Sequence, residues 1–243
     1  MPDGGHIAIQ HTPDFERVNA LPRRVFDWEK AARDAADITP ELLTPLGKKE
    51  GAALRPLQGF VLNELWEQNQ KHKNRGLYFS GSVGAGKTLL SRQAAYVLNA
   101  KRSVLVVPDN LIEKTQVEFQ AYGRHWIGPA VGPRIVGYKE LTRKDADEKI
   151  KRWRPDFWIF DEIDVLASQE SSATWRVAND ISERDVPVLG MTGTDGRFSI
   201  TDFSHFLTWC CKDGVPLPLD YNELQRWAMA LDEQRPGMRG MMN

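Results

Sequence analysis

The stretch GSVGAGKT, Gly81–Thr88, lies between the apolar run LYF and the helical pattern LLSRQAAYVL. It matches the pattern G-x-x-x-x-G-K-[ST] in full. Glycines at these positions let backbone N–H groups turn toward an anion, and the following helix directs the positive end of its dipole to the same point. The sequence therefore predicts a phosphate-binding loop formed by Gly81, Ser82, Val83, Gly84, Ala85, Gly86, Lys87 and Thr88.

Two side chains of this loop are expected to act on the nucleotide directly. In such loops the lysine reaches the β- and γ-phosphates, a role that Lys87 would have. The hydroxyl that follows it binds Mg²⁺, which assigns Thr88 to the metal. The loop predicts nucleotide binding and leaves the reaction open, because many different enzymes use the same phosphate-binding loop.

A second motif, FWIFDEIDVLA, supplies carboxylates for the reaction. Four apolar residues precede Asp161 and Glu162, so both emerge at the carboxyl end of a buried strand, where ligands of open α/β sheets bind. Two carboxylates at that place are costly to desolvate without a cation. We expect Asp161 to bind Mg²⁺ through its waters and Glu162 to polarise the attacking water. The two motifs together predict a nucleoside triphosphatase with Lys87, Asp161 and Glu162 as its catalytic set.

The rest of the chain alternates between strand and helix patterns. The apolar runs GLYFSG, SVLVVP, RIVGY, FWIFDE and VPVLGMTGT are separated by helical stretches such as NLIEKTQVEFQAYG. Alternation of this kind predicts βαβ units, hence an α/β fold with a mostly parallel central sheet and helices on both faces. Residues 1–50 read as a helical N-terminal extension, 51–200 as the nucleotide-binding domain and 201–243 as a helical tail.

Composition limits which binding partners and which cellular compartment the sequence predicts. A formal net charge of −1 over 243 residues argues against binding a polyanion by bulk charge. The two cysteines, Cys210 and Cys211, are adjacent and lack metal-ligand spacing, which favours a reducing cytoplasm. We find neither a signal peptide nor an apolar run long enough to span a membrane. The sequence therefore predicts a cytoplasmic location and no membrane association.

The segment DEID resembles the D-E-x-D box of superfamily 2 helicases and translocases, the group that includes DEAD/DEAH-box and SWI/SNF-like ATPases. Five further segments resemble this family in order and spacing, over residues 54–195: LRPLQ, SVLVVPDNLIEKTQVEF, RIVGYKELTRKD, RPDFWIFDEID and VPVLGMTGT. The resemblance implies that 51–200 form the first RecA-like domain, a three-layer sandwich that uses ATP and Mg²⁺.

The resemblance also implies roles for residues outside the two motifs. In the family, a glutamine before the phosphate loop reads the adenine edge, and an arginine lies near it. The segment after the second strand meets the nucleic-acid backbone, and a Thr-Gly-Thr segment links nucleotide state to domain movement. These roles fall to Arg55 and Gln58; to Pro108, Asp109 and Asn110; and to Thr192, Gly193 and Thr194.

The chain departs from the family pattern in three places. Asp195 follows Thr194 where the family has proline, and the fourth box position is Asp164, which favours D-E-x-D members. Family members carry a second RecA-like domain with arginine fingers, and too few residues follow Thr194 for one. No Q-x-x-G-R-x-x-R string occurs. Because an arginine finger can accelerate the reaction by about 10³–10⁵, we expect a slow ATPase in isolation.

The sequence thus favours an ATP-dependent motor domain that acts on nucleic acid, DNA rather than RNA, with a second polypeptide supplying the other RecA-like domain. Separate halves suit a compact, viral genome, which would place the protein in the host cytoplasm. Two alternatives stay open: a ring-forming P-loop ATPase of the DNA-packaging or AAA+ type, and a nucleotide-gated adaptor. The order of the segments fits a helicase better than a ring-forming ATPase. Glu162 argues against the adaptor, since a protein that only binds nucleotide needs no water-polarising carboxylate.

Overall fold

The apolar runs predicted as strands form a five-stranded sheet in a computed structural model that describes residues 12–22, 26–193 and 199–232. Its strand order is β1-β5-β4-β2-β3, and every neighbouring pair is parallel. The strands are β1 (Leu77–Ser80), β2 (Ser103–Val107), β3 (Arg134–Gly137), β4 (Phe157–Asp161) and β5 (Val188–Thr192). The predicted α/β class with a parallel sheet is confirmed.

Helices connect the strands and flank the sheet. They are α1 (Pro13–Ala20), α2 (Trp28–Leu42), α3 (Pro45–Glu50), α4 (Pro56–Lys71), α5 (Lys87–Val97), α6 (Ile112–His125), α7 (Tyr138–Thr142), α8 (Ala146–Trp153), α9 (Ser172–Arg184), α10 (Ile200–Cys211) and α11 (Tyr221–Asp232). Short 3₁₀ turns follow β2 (Asp109–Leu111) and β4 (Ile163–Leu166). Local sequence sets several of these bounds: proline occupies the first turn of α1, α3 and α4, where its missing N–H has no helical partner.

Each strand divides its side chains between two helical layers, as the period of two requires. Leu105, Ile159 and Leu189 pack against α2, α4 and α5 on one face. Their neighbours Trp158 and Val188 pack against α9 and α10 on the other. Both faces of the sheet are therefore buried, which is the usual environment of an all-parallel sheet and the reason its strands read as continuous apolar runs.

Helix α2 shares the first of these layers although it precedes the predicted nucleotide-binding domain. Ala31 and Ala35 are buried, and a Cβ added to Gly59 in α4 would lie 2.3 Å from Ala35 Cα. The backbone N–H of Leu54 donates to the buried Thr39 hydroxyl at 3.1 Å. The domain boundary near residue 50 stays a prediction, and α2 packs with α4 in a common core across it.

The C-terminal helices contact both the sheet and the N-terminal region. In α10, Trp209 and Cys210 are buried, and the Cys210 carbonyl accepts a 2.8 Å hydrogen bond from Gly76 N–H just before β1. The Asp14 carboxylate of α1 accepts from the backbone N–H of Leu219 at 2.8 Å. Residues 199–211 therefore complete the second helical layer. Across the described ranges, no helix is both long and apolar enough to cross a membrane.

Candidate nucleotide-binding site

Strand order brings the two motifs to a common edge with β5 between them. Because β5 pairs with both β1 and β4, its carboxyl end separates the phosphate loop from the carboxylates. Gly81 N–H donates to the Thr192 carbonyl at 2.9 Å, and Gly193 N–H donates to Glu162 Oε2 at 3.0 Å. Parallel strands end at one edge, so segments far apart in sequence meet there.

The phosphate loop adopts the conformation that its glycines permit. Gly84 and Gly86 have φ values of +88° and +83°, in the left-handed region that favours glycine. Ser82, Val83 and Gly84 form an exposed tip, and Ala85 and Gly86 lead into α5. Among the described residues, the N–H groups of Gly84, Gly86, Lys87 and Thr88 donate to no other group. They are available to an anion at the start of α5.

Lys87 is paired with the predicted catalytic carboxylate. Its ammonium nitrogen lies 3.0 Å from Glu162 Oε1 and 3.3 Å from the Gly81 carbonyl oxygen. The Lys87 side chain is 11% exposed and that of Glu162 31% exposed, so the contact is largely shielded from solvent. A phosphate bound in the loop would compete with Glu162 for Lys87 and thereby release the carboxylate.

Asp161 has the properties of an unsatisfied cation ligand. Its Oδ1 atom is buried and has no hydrogen-bond partner in the part of the chain that the structure describes. Burial raises the pKa of Asp161 to about 6; the charge of Glu162 adds to this shift and Lys87 opposes it. A carboxylate desolvated in this way is stabilised by a divalent cation, so the site fits Mg²⁺.

Thr88 offers the second oxygen predicted for the metal. It is half-buried at the start of α5, and its hydroxyl makes no hydrogen bond within the described ranges. No group of three or more His, Cys, Asp or Glu side chains is arranged to hold a metal in those ranges. Thr88 and Asp161 would therefore share Mg²⁺ with water and phosphate oxygens, which is how Mg²⁺ is commonly held beside a nucleotide.

The end of β5 lies beside the carboxylates, as the resemblance implied. Thr192 is fully buried, and its hydroxyl donates to Asp164 Oδ1 at 3.2 Å. Gly193 binds Glu162 through its N–H group. Thr194 lies outside the described residues. The coupling role of these three residues stays a prediction.

Gln58 and Arg55, at the start of α4, donate hydrogen bonds to the phosphate loop. Gln58 is 4% exposed; its Nε2 donates to the Ala85 carbonyl at 3.3 Å, and its Oε1 accepts from Arg55 N–H at 2.9 Å. The Arg55 guanidinium donates to the Gly84 carbonyl at 2.6 Å. A Cβ on Gly86 would lie 2.1 Å from Gln58 Nε2, so any other residue at this position would displace the Gln58 amide, and the φ of +83° itself favours glycine. Recognition of adenine by Gln58 stays a prediction.

The segment predicted to meet nucleic acid follows β2 at the same edge of the sheet. Pro108 and Asp109 are half-buried and Asn110 is exposed. The Asp109 carboxylate accepts from Lys139 N–H at 3.4 Å and packs against Gly137 at the end of β3. Asp109 therefore supports the start of α7. Its contact with nucleic acid stays a prediction.

Tyr138 belongs to this site, and the sequence reasoning gave it no role. Its buried hydroxyl donates to the carbonyl oxygens of Asp161 (2.8 Å) and Glu162 (3.0 Å). One signal was available: Tyr138 directly follows the strand RIVG, and the residue after a parallel strand lies at the edge where the carboxylates emerge. What the sequence could not show is that its hydroxyl points back at the turn after β4.

Residues 51–128, which are fewer than half of the chain, match the family model described as the res subunit of type III restriction enzymes. This segment contains Arg55, Gln58, the phosphate loop and the segment Pro108–Asn110, and it ends before the carboxylates. Comparison with curated proteins finds no match.

Among solved structures, the chain is similar to a Sulfolobus solfataricus SWI2/SNF2 ATPase core in complex with dsDNA, with a TM-score of 0.58 and 16% sequence identity. The match covers 76% of this chain and 41% of that one. The predicted RecA-like α/β fold is confirmed, and both matches agree with the resemblance noted in the sequence.

Proposed function

We propose that this chain is the ATP-binding and ATP-hydrolysing motor domain of a superfamily 2 DNA helicase or translocase. The observation that carries the proposal is the convergence of Lys87 and Glu162, 3.0 Å apart, between the phosphate loop and Asp161, whose buried Oδ1 has no hydrogen-bond partner among the described residues. A turn whose carboxylates had only a structural role would not require a lysine and a phosphate loop beside it. Buried charge without a partner is a cost that a ligand would remove.

The side chains have separate roles in the proposed reaction. The loop N–H groups and Lys87 bind the phosphates of ATP. Thr88 and Asp161 hold Mg²⁺, which when bound offsets charge on the phosphate oxygens. Once Lys87 turns to the phosphates, Glu162 is free to orient and polarise the attacking water, while Gly193 N–H holds its other oxygen.

Adenine recognition is proposed for Gln58 with help from Arg55. Both already donate hydrogen bonds to the loop, at the carbonyls of Ala85 and Gly84. A base bound beside them would therefore be held at a fixed position relative to the phosphates. Coupling to movement is proposed for Thr192, Gly193 and Thr194, the first two of which contact Asp164 and Glu162.

We propose double-stranded DNA as the nucleic acid on which the domain acts. Two findings support DNA over RNA: the similar Sulfolobus structure is a complex with dsDNA, and the matching family model is that of a restriction-enzyme subunit. The contact is proposed for Pro108, Asp109 and Asn110, which lie at the same sheet edge as the ATP site.

A second RecA-like domain, supplied by a partner polypeptide, is proposed to close the site. The phosphate loop is open, with Val83 95% exposed at its tip. Within the described ranges, no arginine contacts Asp161 or Glu162. A partner arginine would stabilise the transition-state charge and raise the rate by about 10³–10⁵.

The test is single-turnover ATP hydrolysis with protein in excess over ATP, with and without duplex DNA. Lys87→Ala should abolish nucleotide binding, whereas Glu162→Gln should keep binding and slow hydrolysis by at least about 100-fold. Matched controls are Lys144→Ala and Glu148→Gln, exposed residues of the same types away from the site. Normal hydrolysis by Glu162→Gln would refute the catalytic assignment. A stable hexamer on size exclusion with ATP would favour the ring-forming alternative.

A further inference from the structure

Tyr138 is bound to the turn that carries the catalytic carboxylate. It lies at the junction of β3 and α7, is 5% exposed, and directs its hydroxyl at two consecutive carbonyl oxygens, those of Asp161 and Glu162. Burial and the nearby carboxylates raise the pKa of Tyr138 well above its usual range, so the hydroxyl remains a neutral donor. It therefore binds the backbone of the turn and makes no hydrogen bond to either carboxylate.

The turn is one that requires such support. Glu162 has φ +55° and ψ +58°, a left-handed conformation that is uncommon for a residue other than glycine or asparagine. Conformations of this kind persist where surrounding contacts over-determine them. Besides Tyr138, the Glu162 carbonyl accepts from Val165 N–H at 3.1 Å in the following 3₁₀ turn. The left-handed residue directs the Glu162 side chain toward Lys87 and Gly193 rather than along the strand.

Tyr138 is in turn linked to the end of β2. The residues on either side of it, Gly137 and Lys139, both meet the Asp109 carboxylate: Lys139 donates its N–H at 3.4 Å, and a Cβ on Gly137 would lie 2.3 Å from Asp109 Oδ1. Asp109 therefore contacts the backbone on both sides of Tyr138, at the first turn of α7. Contacts therefore run without interruption from Asp109 through Tyr138 to Glu162.

We propose that Tyr138 is a positioning residue that holds Glu162 in its catalytic orientation. We further propose that Asp109 acts through Tyr138, so that ATP hydrolysis responds to DNA bound at the end of β2. The proposal rests on the proposed function, because it concerns regulation of the same ATP site. It assigns to Asp109 a role in transmission, separate from any contribution to DNA affinity. Removing the Tyr138 hydroxyl takes a donor from the left-handed turn at Glu162, which is the element through which Asp109 is proposed to act.

The first test is Tyr138→Phe, which deletes the hydroxyl and keeps the ring. We expect kcat to fall about 10-fold, the value for one lost hydrogen bond expressed in the transition state, with KM for ATP nearly unchanged. The urea unfolding midpoint should fall modestly, because two carbonyl oxygens lose a buried donor. In a Glu162→Gln background the same substitution should cause no further loss, since Tyr138 acts through Glu162. Tyr96→Phe, at the far end of α5 from the phosphate loop, is the matched control and should leave hydrolysis unchanged.

The second test separates transmission from binding. At saturating duplex DNA, Asp109→Ala should reduce the stimulation of hydrolysis toward onefold, whereas Asn110→Ala, which lacks the link to α7, should weaken DNA affinity and keep the stimulation. A wild-type chain that hydrolyses no ATP even with DNA would mean that the proposed function has failed. Two results would overturn the inference and leave the proposed function intact, provided that the wild-type chain hydrolyses ATP. One is a Tyr138→Phe hydrolysis rate equal to that of wild type; the other is a loss of rate from Tyr138→Phe that adds to the loss from Glu162→Gln.

Discussion

Replacing Asp161 by asparagine should stabilise the metal-free protein, and should do so more at neutral than at acidic pH. The native pKa of this carboxyl is about 6, raised mainly by burial from an ordinary value of 3.8. A carboxyl whose pKa is raised by folding is charged more readily in the unfolded chain. Its ionisation therefore reduces stability as pH rises from about 4 to about 6, and the penalty is constant above that window.

The size of the effect follows from the two pKa values. A difference of about two units corresponds to about 3 kcal/mol of lost stability at pH 7.5, where the carboxyl is ionised in both states. At pH 5 the native carboxyl is mostly protonated, and about half of that penalty remains. The advantage of Asp161→Asn over wild type should thus shrink by about 1 kcal/mol between pH 7.5 and pH 5.

The measurement is urea unfolding of both proteins at the two pH values, without Mg²⁺ or nucleotide. Comparing the variant with wild type at each pH removes the contribution of titrating groups that do not interact with Asp161, and any unpaired amide atom of the new asparagine contributes equally at both. Asp37→Asn, which makes the same chemical change on α2, is the control. The variant should also lose Mg²⁺-dependent hydrolysis. An advantage that is equal at both pH values, or larger at pH 5, would refute the assignment of Asp161 as a desolvated and uncompensated charge.

Three further substitutions test the packing around the site. Gly59→Ala should cost about 1–3 kcal/mol of unfolding free energy by urea titration, because its Cβ would overlap Ala35; an unchanged midpoint would mean that α2 is not seated on α4. Thr39→Val should cost about 1–3 kcal/mol in the same assay, because the Leu54 N–H loses its buried acceptor, and a neutral result would contradict that bond. Arg17→Ala removes hydrogen bonds from α1 to the backbone of the C-terminal segment, so limited proteolysis should cut near residue 215 sooner while the unfolding midpoint of the core stays unchanged; equal cleavage rates would show that the contact does not hold the segment.

The phosphate loop and the carboxylate turn could be predicted because their signals are local. The left-handed φ of Gly84 and Gly86, the buried strand before Asp161 and the helix after Lys87 all follow from neighbouring residues. The five strands were likewise readable, since a parallel sheet buried on both faces requires continuous apolar runs. The resemblance added Gln58, which lies against the loop although its role there is still a prediction.

The hydrogen bond of Tyr138 and the packing of α2 could not be predicted from the sequence, for a common reason. Nothing adjacent to Tyr138 marks it as the donor to a turn 23 residues later in the chain. Likewise, the sequence predicts α2 only as part of a helical N-terminal extension, and its packing on α4 is visible only where Gly59 meets Ala35. In both cases the partner lies on another element, and the contact depends on how those elements pack.

The sequence by itself determined which chemical groups are present and at which strand ends they emerge, because periodicity, glycine conformation and the direction of parallel strands are local properties. Only the tertiary structure decided that β5 lies between β1 and β4, so that Gly193 and Lys87 both reach Glu162. Strand order is a non-local outcome of how the helices cover the two faces of the sheet. That order turns a phosphate loop and a distant acidic pair into one site.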